Sequence, residues 1–428
     1  MRTSFKFFFY TLATIIILGC DEKIDLNSDF SEVNTDFIFP QSTVTFIDIE
    51  EAKSIANQFM NLNNSFRKGE GEAETERIII SSSVVRSEKR NINIENECDT
   101  LMYIFNFSKG FTIVSAIKDF YPILAYSEDN CFDESNTDNV GPSIWLDYMR
   151  NTIEKMIEDP NTENVFADVY HSMQFEENEL TQRTRSQFYD EIRNYVEVGP
   201  YLTTEWHQGY PFNTCTPVIN GDKAPAGCVP IAVAQVVNYH RILTGENINW
   251  TAVNNEVSPD VGNLIAIISN DIEMSYEEDY AYPSLCFPDF FCYRGRIANY
   301  LNNKGYNVNW RDIGTQTPVT CPAIYEGFTS NFLGTTNWFG GHWWVMDGYK
   351  KWEWWYGWAE TENPIEPRSG SQLQDGPLLE QYPPLTVTGF LYLHFNWGWG
   401  GQSNGWYGAA GSYLDYCKSF KRLDIRRR

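Results

Sequence analysis

An apolar run that opens on a cysteine constrains the fold of this 428-residue chain more than any other segment. Cys228 follows Gly227 directly, and the residues up to His240 are mostly apolar, which predicts a buried helix whose first residue is the cysteine. Gly227 permits a tight turn, and Pro230 suits a first turn, where a backbone N–H has no helical partner. The positive end of a helix favours a thiolate. A buried structural cysteine is the alternative, and Cys228 alone does not decide between them.

The composition excludes two broad classes of protein. Hydrophobic residues make up 42% and aromatic residues 16% of the chain, which rules out a disordered protein. The formal net charge of -25 argues against a nucleic-acid partner, since such proteins are normally basic. The length suffices for two domains with sizeable cores.

The N-terminus has the pattern of a secretion signal. Arg2 and Lys6 precede an apolar run over 7–18, which is too short to span a membrane as a helix. The run ends at Gly19 and Cys20, and acidic residues follow, so residues 1–20 resemble a bacterial lipoprotein signal in which Cys20 carries the lipid. We therefore predict an outer-membrane lipoprotein of the cell envelope. Display on the outer face, secretion, and an ordinary signal peptide with an incidental cysteine are the alternatives.

Hydrophobic periodicity predicts an α+β protein with two folded units. The first unit combines a helix capped by Asp48, a hairpin that turns at Ser108–Gly110, and a second helix over 143–157. The second unit has helices over 230–241 and 294–304, followed by strands. The predicted divisions are a signal peptide over 1–20, a tether over 21–39, a small α+β unit over 40–160, an acidic linker over 161–198 with a candidate cut site at Arg183–Ser186, and a second domain over 199–428.

Nine cysteines leave an odd number once Cys20 and Cys228 are set aside. Cys286 and Cys292 flank a short loop and could form a disulfide in an oxidising compartment. Because no CxxC pair has zinc-finger spacing and the histidines are scattered, we predict neither a metal nor a cofactor.

Three later segments change the reading of Cys228. His342 follows Gly340–Gly341 and opens an apolar strand, so its ring could face the thiol. Asn396 follows another strand, where its amide could fix the tautomer of the histidine, and Trp397 could shield that contact. Gln208, upstream, could donate to the oxyanion of a tetrahedral intermediate. Each segment alone is equally compatible with a structural role, but together they are the parts of a thiol hydrolase.

Four motifs resemble those of the streptopain family of secreted bacterial cysteine peptidases. They are Trp206–Asn213, Gly227–His240, Gly341–Gly348 and Asn396–Gly401. The resemblance spans roughly residues 199–428, and residues 40–160 resemble the pro-domain and inhibitor fold of the same family.

The resemblance implies a papain-like catalytic domain in which a helix with the cysteine packs on an antiparallel sheet with the histidine and asparagine. Cys228 would be the nucleophile, His342 the general base and acid, Asn396 its orienting partner, Trp397 the shield and Gln208 the second oxyanion donor. The partners would be a protein or peptide substrate, the chain's own pro-domain as an inhibitor, and a membrane through the lipid on Cys20. A Trp-rich insertion over 351–388 departs from the family pattern and serves either binding or its own packing.

Two other functions stay open at the level of sequence. The chain could be a catalytically silent binding or inhibitor lipoprotein on the same fold. It could also be another acyl transferase or amidase on a papain-like scaffold.

Overall fold

The computed structural model describes most of the chain from residue 44 onward. The predicted signal, Cys20, the tether and the arginines of the candidate cut site lie outside the described residues. The described ranges are 44–67, 77–87, 99–118, 120–134, 139–158, 186–254, 259–284, 291–312, 320–330, 336–360, 386–408 and 421–428.

The described elements confirm the predicted α+β class. The helices are α1 (Ile49–Arg67), α2 (Val140–Glu158), α3 (Cys228–His240), α4 (Trp250–Val253), α5 (Pro259–Asp271) and α6 (Cys292–Asn303). The strands are β1 (Ile79–Arg86), β2 (Thr100–Phe107), β3 (Phe111–Ser115), β4 (Ile123–Ser127), β5 (Ser186–Val198), β6 (Val218–Ile219), β7 (Asp222–Lys223), β8 (Met274–Tyr276), β9 (Ala281–Pro283), β10 (Tyr306–Asp312), β11 (Ala323–Ser330), β12 (Thr336–Glu360), β13 (Thr386–Asn396), β14 (Gly405–Gly408) and β15 (Lys421–Arg427).

The N-terminal unit follows the sequence prediction closely. The carboxylate of Asp48 accepts from the backbone N–H of Glu51 at 2.8 Å, which caps α1. Strands β2 and β3 form the predicted antiparallel hairpin. Helix α2 begins at Val140 rather than at 143, because Gly141 and Pro142 occupy its first turn, where the missing N–H of proline is harmless.

Among the described residues, eleven strands form one sheet that runs through both units, in the order β1-β2-β3-β4-β14-β13-β12-β11-β15-β10, with β5 also paired to β12. The seam between the units is the antiparallel pair of β4 and β14, where Trp406 lies opposite Tyr126 and Tyr407 opposite Ala125. The two units therefore share one continuous sheet.

Alternate residues of β12 face two separate cores. Trp343 and Val345 belong to the core that α3 covers. Trp344 and Met346 belong to the core shared with the N-terminal unit, in which α2 packs against β11 and β12. Because both faces are buried, this part of β12 is apolar at successive positions rather than alternating.

Two predicted surface segments take part in the sheet. The last residues of the predicted linker form β5, whose backbone pairs with β12 from Ser186 opposite Glu360 to Val198 opposite Tyr349. The insertion over 351–388 begins and ends as extensions of β12 and β13, which pair up to Tyr356 opposite Thr386. The paired residues of both segments thus hydrogen-bond through the backbone within the sheet.

Candidate active site

Cys228 is the first residue of α3, as the sequence predicts. Gly227 before it has a φ of 92°, in the left-handed region that glycine adopts without strain. A Cβ atom at Gly227 would lie 2.9 Å from Cε of Met274 and 3.2 Å from Cβ of Ala281. The turn therefore needs glycine both for its backbone angle and for the approach of the β8–β9 hairpin.

The thiol of Cys228 is held in its neutral form. The residue keeps part of its surface at the solvent boundary, but protein atoms surround the sulfur, and burial raises its pKa to about 11. Backbone N–H groups of Trp343, Val229 and Cys228 itself oppose this shift. The thiolate expected at a helix N-terminus is thus absent in this state, because desolvation outweighs the helix end.

His342 is neutral as well. Its side chain is buried, and its ring lies nearly parallel to the indole of Trp344, with centroids 6.1 Å apart. Nε2 is 2.9 Å from the carbonyl oxygen of Trp397, and since a carbonyl can only accept, Nε2 carries the proton. Burial lowers the pKa of His342 to about 4, and the Trp397 carbonyl only partly opposes this.

The imidazole faces the N-terminal unit rather than the thiol. Gly141, in the first turn of α2, packs directly on it: a Cβ there would lie 2.4 Å from Cε3 of Trp397 and 2.8 Å from Cδ2 of His342. Across the described part of the chain, no hydrogen bond joins His342 to Cys228. The thiol and the imidazole are brought to neighbouring elements but not into a working pair.

Asn396 uses its amide elsewhere. Oδ1 accepts from the backbone N–H of Gly398 at 3.1 Å and from Nε2 of Gln235 at 3.3 Å. Nδ2 donates to the carbonyl of Thr204 at 2.7 Å. The predicted hydrogen bond from His342 to Asn396 is therefore not made in this state, and it stays a prediction for a state in which the ring has turned.

Gln208 and Trp397 are both fixed by hydrogen bonds to neighbouring segments. The carbonyl of Gln208 accepts from the backbone N–H of Ala226 at 2.8 Å, which holds this segment two residues before Cys228. Trp397 is fully buried, and its indole N–H donates to the carbonyl of Ser403 and the hydroxyl of Tyr407, both at 3.0 Å. The roles of Gln208 as an oxyanion donor and of Trp397 as a shield stay predictions.

Three residues at the site escaped sequence reasoning. Gln235 is wholly buried on α3, and a polar residue inside an apolar helix was an available signal. Glu326 on β11 is buried beside Trp343, and Gly141 covers the histidine. Neither of the latter two carries a local signal, because each acts through strands or helices distant in sequence.

The Trp-rich insertion packs where it is described. Trp352 is buried and stacks on Tyr392, with ring centroids 5.0 Å apart, and on Tyr195 at 6.2 Å. This supports the packing interpretation for Trp352, whereas the side chains of Trp354, Trp355 and Trp358 lie outside the described ones.

Among the described cysteines, Cys292 is disulfide-bonded, and Cys131, Cys215, Cys228 and Cys321 are free thiols. Cys286 lies outside the described residues, so its predicted pairing with Cys292 stays a prediction. Within the described ranges, no helix has the length and apolar character needed to cross a membrane.

A helix that opens on a thiol and packs on an antiparallel sheet carrying the histidine and asparagine defines a papain-like cysteine peptidase. Comparisons with known proteins agree. Residues 44–153 match the family model of the Spi protease inhibitor, and residues 206–247 match that of the Peptidase C10 family. The chain is thus similar to cysteine peptidases of the streptopain type, and these matches support a cysteine peptidase with an N-terminal pro-domain.

Curated relatives match over most of the chain. Streptopain of Streptococcus pyogenes is 22% identical over 411 residues, which cover 84% of this chain and 83% of streptopain. The thiol protease/hemagglutinin of Porphyromonas gingivalis is 24% identical over 351 residues, which cover 72% of this chain and 33% of that protein. Among solved structures, a fragment of Prevotella intermedia prointerpain A matches with a TM-score of 0.45 and 14% identity, over 80% of this chain and 98% of the fragment.

Proposed function

We propose that this chain is a latent cysteine endopeptidase whose nucleophile is Cys228 and whose general base is His342. The observation that carries the proposal is the contact between α3 and β12: the backbone N–H of Trp343, the residue after His342, lies against the thiol of Cys228. The proposal requires the imidazole to leave Gly141, on the face of β12 that bears Trp344, and to reach the thiol, which packs with the core that contains Trp343.

In the proposed reaction, His342 takes the proton of Cys228, and the thiolate attacks the carbonyl carbon of a peptide bond. The oxyanion accepts hydrogen bonds from the backbone N–H of Cys228 and the side chain of Gln208. His342 then gives its proton to the leaving amine, which departs and leaves a thioester. Water, deprotonated by His342, hydrolyses the thioester and releases the acid. Asn396 holds the ring in the required tautomer once it has turned.

Latency has two supports in the geometry. Gly141 lies on His342, and burial lowers the pKa of this imidazole to about 4. Burial of the sulfur raises the pKa of Cys228 to about 11, and a neutral thiol is a poor nucleophile. Departure of the pro-domain would uncover the imidazole and free it to take the proton of the thiol.

For localisation, we propose export and anchoring through a lipid on Cys20, on the strength of the signal-like residues 1–20. Radiolabelled palmitate should enter the full chain and not the Cys20→Ala variant when both are expressed in a Gram-negative host. Equal labelling of both chains would show that Cys20 is not the lipidated residue.

The experiment for the enzymatic proposal compares the full chain with Cys228→Ala and, as a matched thiol control, Cys215→Ala. Wild type and Cys215→Ala should process themselves and hydrolyse casein, and Cys228→Ala should do neither. Undiminished hydrolysis by Cys228→Ala would overturn the assignment of the nucleophile. If the processed wild type neither cleaves casein nor reacts with an epoxide-type thiol-peptidase inhibitor, the chain is a silent binding protein instead.

A further inference from the structure

Glu326 is a buried carboxylate that the proposed reaction does not use. It lies on β11 directly opposite Trp343 of β12, and only 1% of its side chain is exposed. Oε1 accepts from Nε1 of Trp343 at 3.1 Å and from the hydroxyl of Tyr293, and Oε2 accepts from Nε of Arg294 at 2.7 Å. Three donors from three positions thus converge on one carboxylate.

The donors themselves are fixed. The Arg294 guanidinium lies 4.2 Å from the ring centroid of Phe291, and its side chain is 21% exposed. Burial, and then the Glu326 carboxylate, raise the pKa of Tyr293 far above its ordinary value, so its hydroxyl stays a donor. A buried ion pair is rarely better for stability than apolar packing of the same volume. Stability alone therefore does not explain why these donors are arranged around Glu326.

Trp343 connects Glu326 to the thiol of Cys228. The indole of Trp343 is held by Glu326 and packs edge-on against Trp310, with centroids 5.6 Å apart. The backbone N–H of the same residue lies against Cys228, and His342 precedes it. Fixing the Trp343 side chain therefore fixes the backbone that carries one catalytic residue and contacts the other.

We propose that Glu326 is a positioning residue for catalysis: by holding the indole of Trp343, it sets the distance between the His342–Trp343 segment of β12 and the thiol of Cys228. The inference rests on the proposed function of Cys228 and His342. Glu326 does not touch the reacting atoms: it positions through Trp343, and its negative charge separately helps to raise the pKa of Cys228.

The experiment measures kcat and KM for a peptide substrate on processed enzyme. The full-length variants are processed by a trace of affinity-tagged wild-type enzyme, which is then removed. Glu326→Gln keeps the length of the side chain but meets Arg294 with an N–H, and Glu326→Asp keeps the charge but is too short to reach Trp343. Displacement of a catalytic segment by about 1 Å lowers rates by up to about 100-fold, so we expect kcat to fall about 10- to 100-fold with KM within about twofold.

A matched control separates positioning from stability. Asp424 on β15 of the same sheet is mostly buried and forms ion pairs with Arg311 and Arg422, whose Nε atoms each lie 2.7 Å from its carboxylate. Asp424→Asn should lower the thermal midpoint of unfolding as much as Glu326→Gln but leave kcat unchanged. If Glu326→Gln lowers the midpoint and leaves kcat at the wild-type level, Glu326 is only structural.

Trp343→Phe provides the second test, because it removes the indole donor but keeps an aromatic ring. It should lower kcat to a similar degree, and the double variant with Glu326→Gln should show little additional loss, since both act through one contact. Independent, multiplying losses in the double variant would overturn the proposal. Full activity of Trp343→Phe would overturn it even where Glu326→Gln does not fold. Neither result bears on the nucleophile, which the Cys228→Ala comparison decides separately.

Discussion

Lys350 is the residue through which latency can be weakened without altering the mature enzyme. Its side chain is wholly buried on β12, and Nζ donates to the hydroxyl of Tyr126 at 3.0 Å and to Oε1 of Glu128 at 3.4 Å. The same ammonium lies 3.8 Å from Glu197 and 4.2 Å from the ring centroid of Trp406. Two of these partners, Tyr126 and Glu128, belong to the pro-domain, so the lysine fastens the two units together.

We predict that Tyr126→Phe will speed self-processing of the full chain. The substitution keeps the ring on the ammonium and removes one hydrogen bond to a charged donor, which is worth about 1.5–3 kcal/mol. Because 1.4 kcal/mol is a factor of ten, the fraction of molecules with the pro-domain undocked should rise roughly 10- to 150-fold. The first-order processing rate at low protein concentration should rise by the same factor.

Tyr103→Phe is the matched control. Its hydroxyl donates to the carbonyl of Ile47 at 3.0 Å, so this substitution also removes a buried hydrogen bond, but one wholly inside the pro-domain. The mature enzymes from all three chains have the same sequence and should share one kcat. Equal processing rates for Tyr126→Phe and Tyr103→Phe would refute the role of Lys350 as the fastening between the units.

Three further predictions follow from the site. Gly141→Ala should speed self-processing several-fold, because its Cβ would overlap Trp397 and His342, whereas Gly295→Ala in α6, with no atom within 4 Å of the added Cβ, should not. The buried His342, with a pKa of about 4 against 6.5 when unfolded, stabilises the latent fold above pH 6.5 and loses that contribution as pH falls towards 4. Between pH 7 and 4.5, urea unfolding of Cys228→Ala should therefore lose about 2.5 kcal/mol more than that of Cys228→Ala/His342→Gln, and equal losses would contradict the assignment. The mature N-terminus should lie at or before Ser186, because β5 is paired along its length with β12, and N-terminal sequencing that begins inside β5 would contradict this.

Local signals predicted the elements well. The Asp48 cap, the β2–β3 hairpin and the cysteine at the start of α3 each depend on residues close together in sequence, and all three are confirmed. The two-unit description was less complete, because the pairing of β4 with β14 joins strands that are far apart in the chain.

The state of the active site could not be predicted from the motifs. His342 begins a strand that is apolar on both faces, with Trp343 and Trp344 in different cores, so the sequence does not indicate which side the imidazole takes. The ionisation of Cys228 depends on how far β12 and its neighbours desolvate the sulfur, which overrides the local effect of the helix end.

The core shared by the two units also bears on whether the chain folds before or after it is cleaved. Helix α2 covers a face of the catalytic sheet that includes Trp344, Phe395, Trp397 and Tyr407, each at most 6% exposed. A chain cut before it folded would collapse with this aromatic face open to water and to other chains, which invites aggregation. Because the covalent link keeps the pro-domain at a high effective concentration, we expect the chain to fold before it is cut.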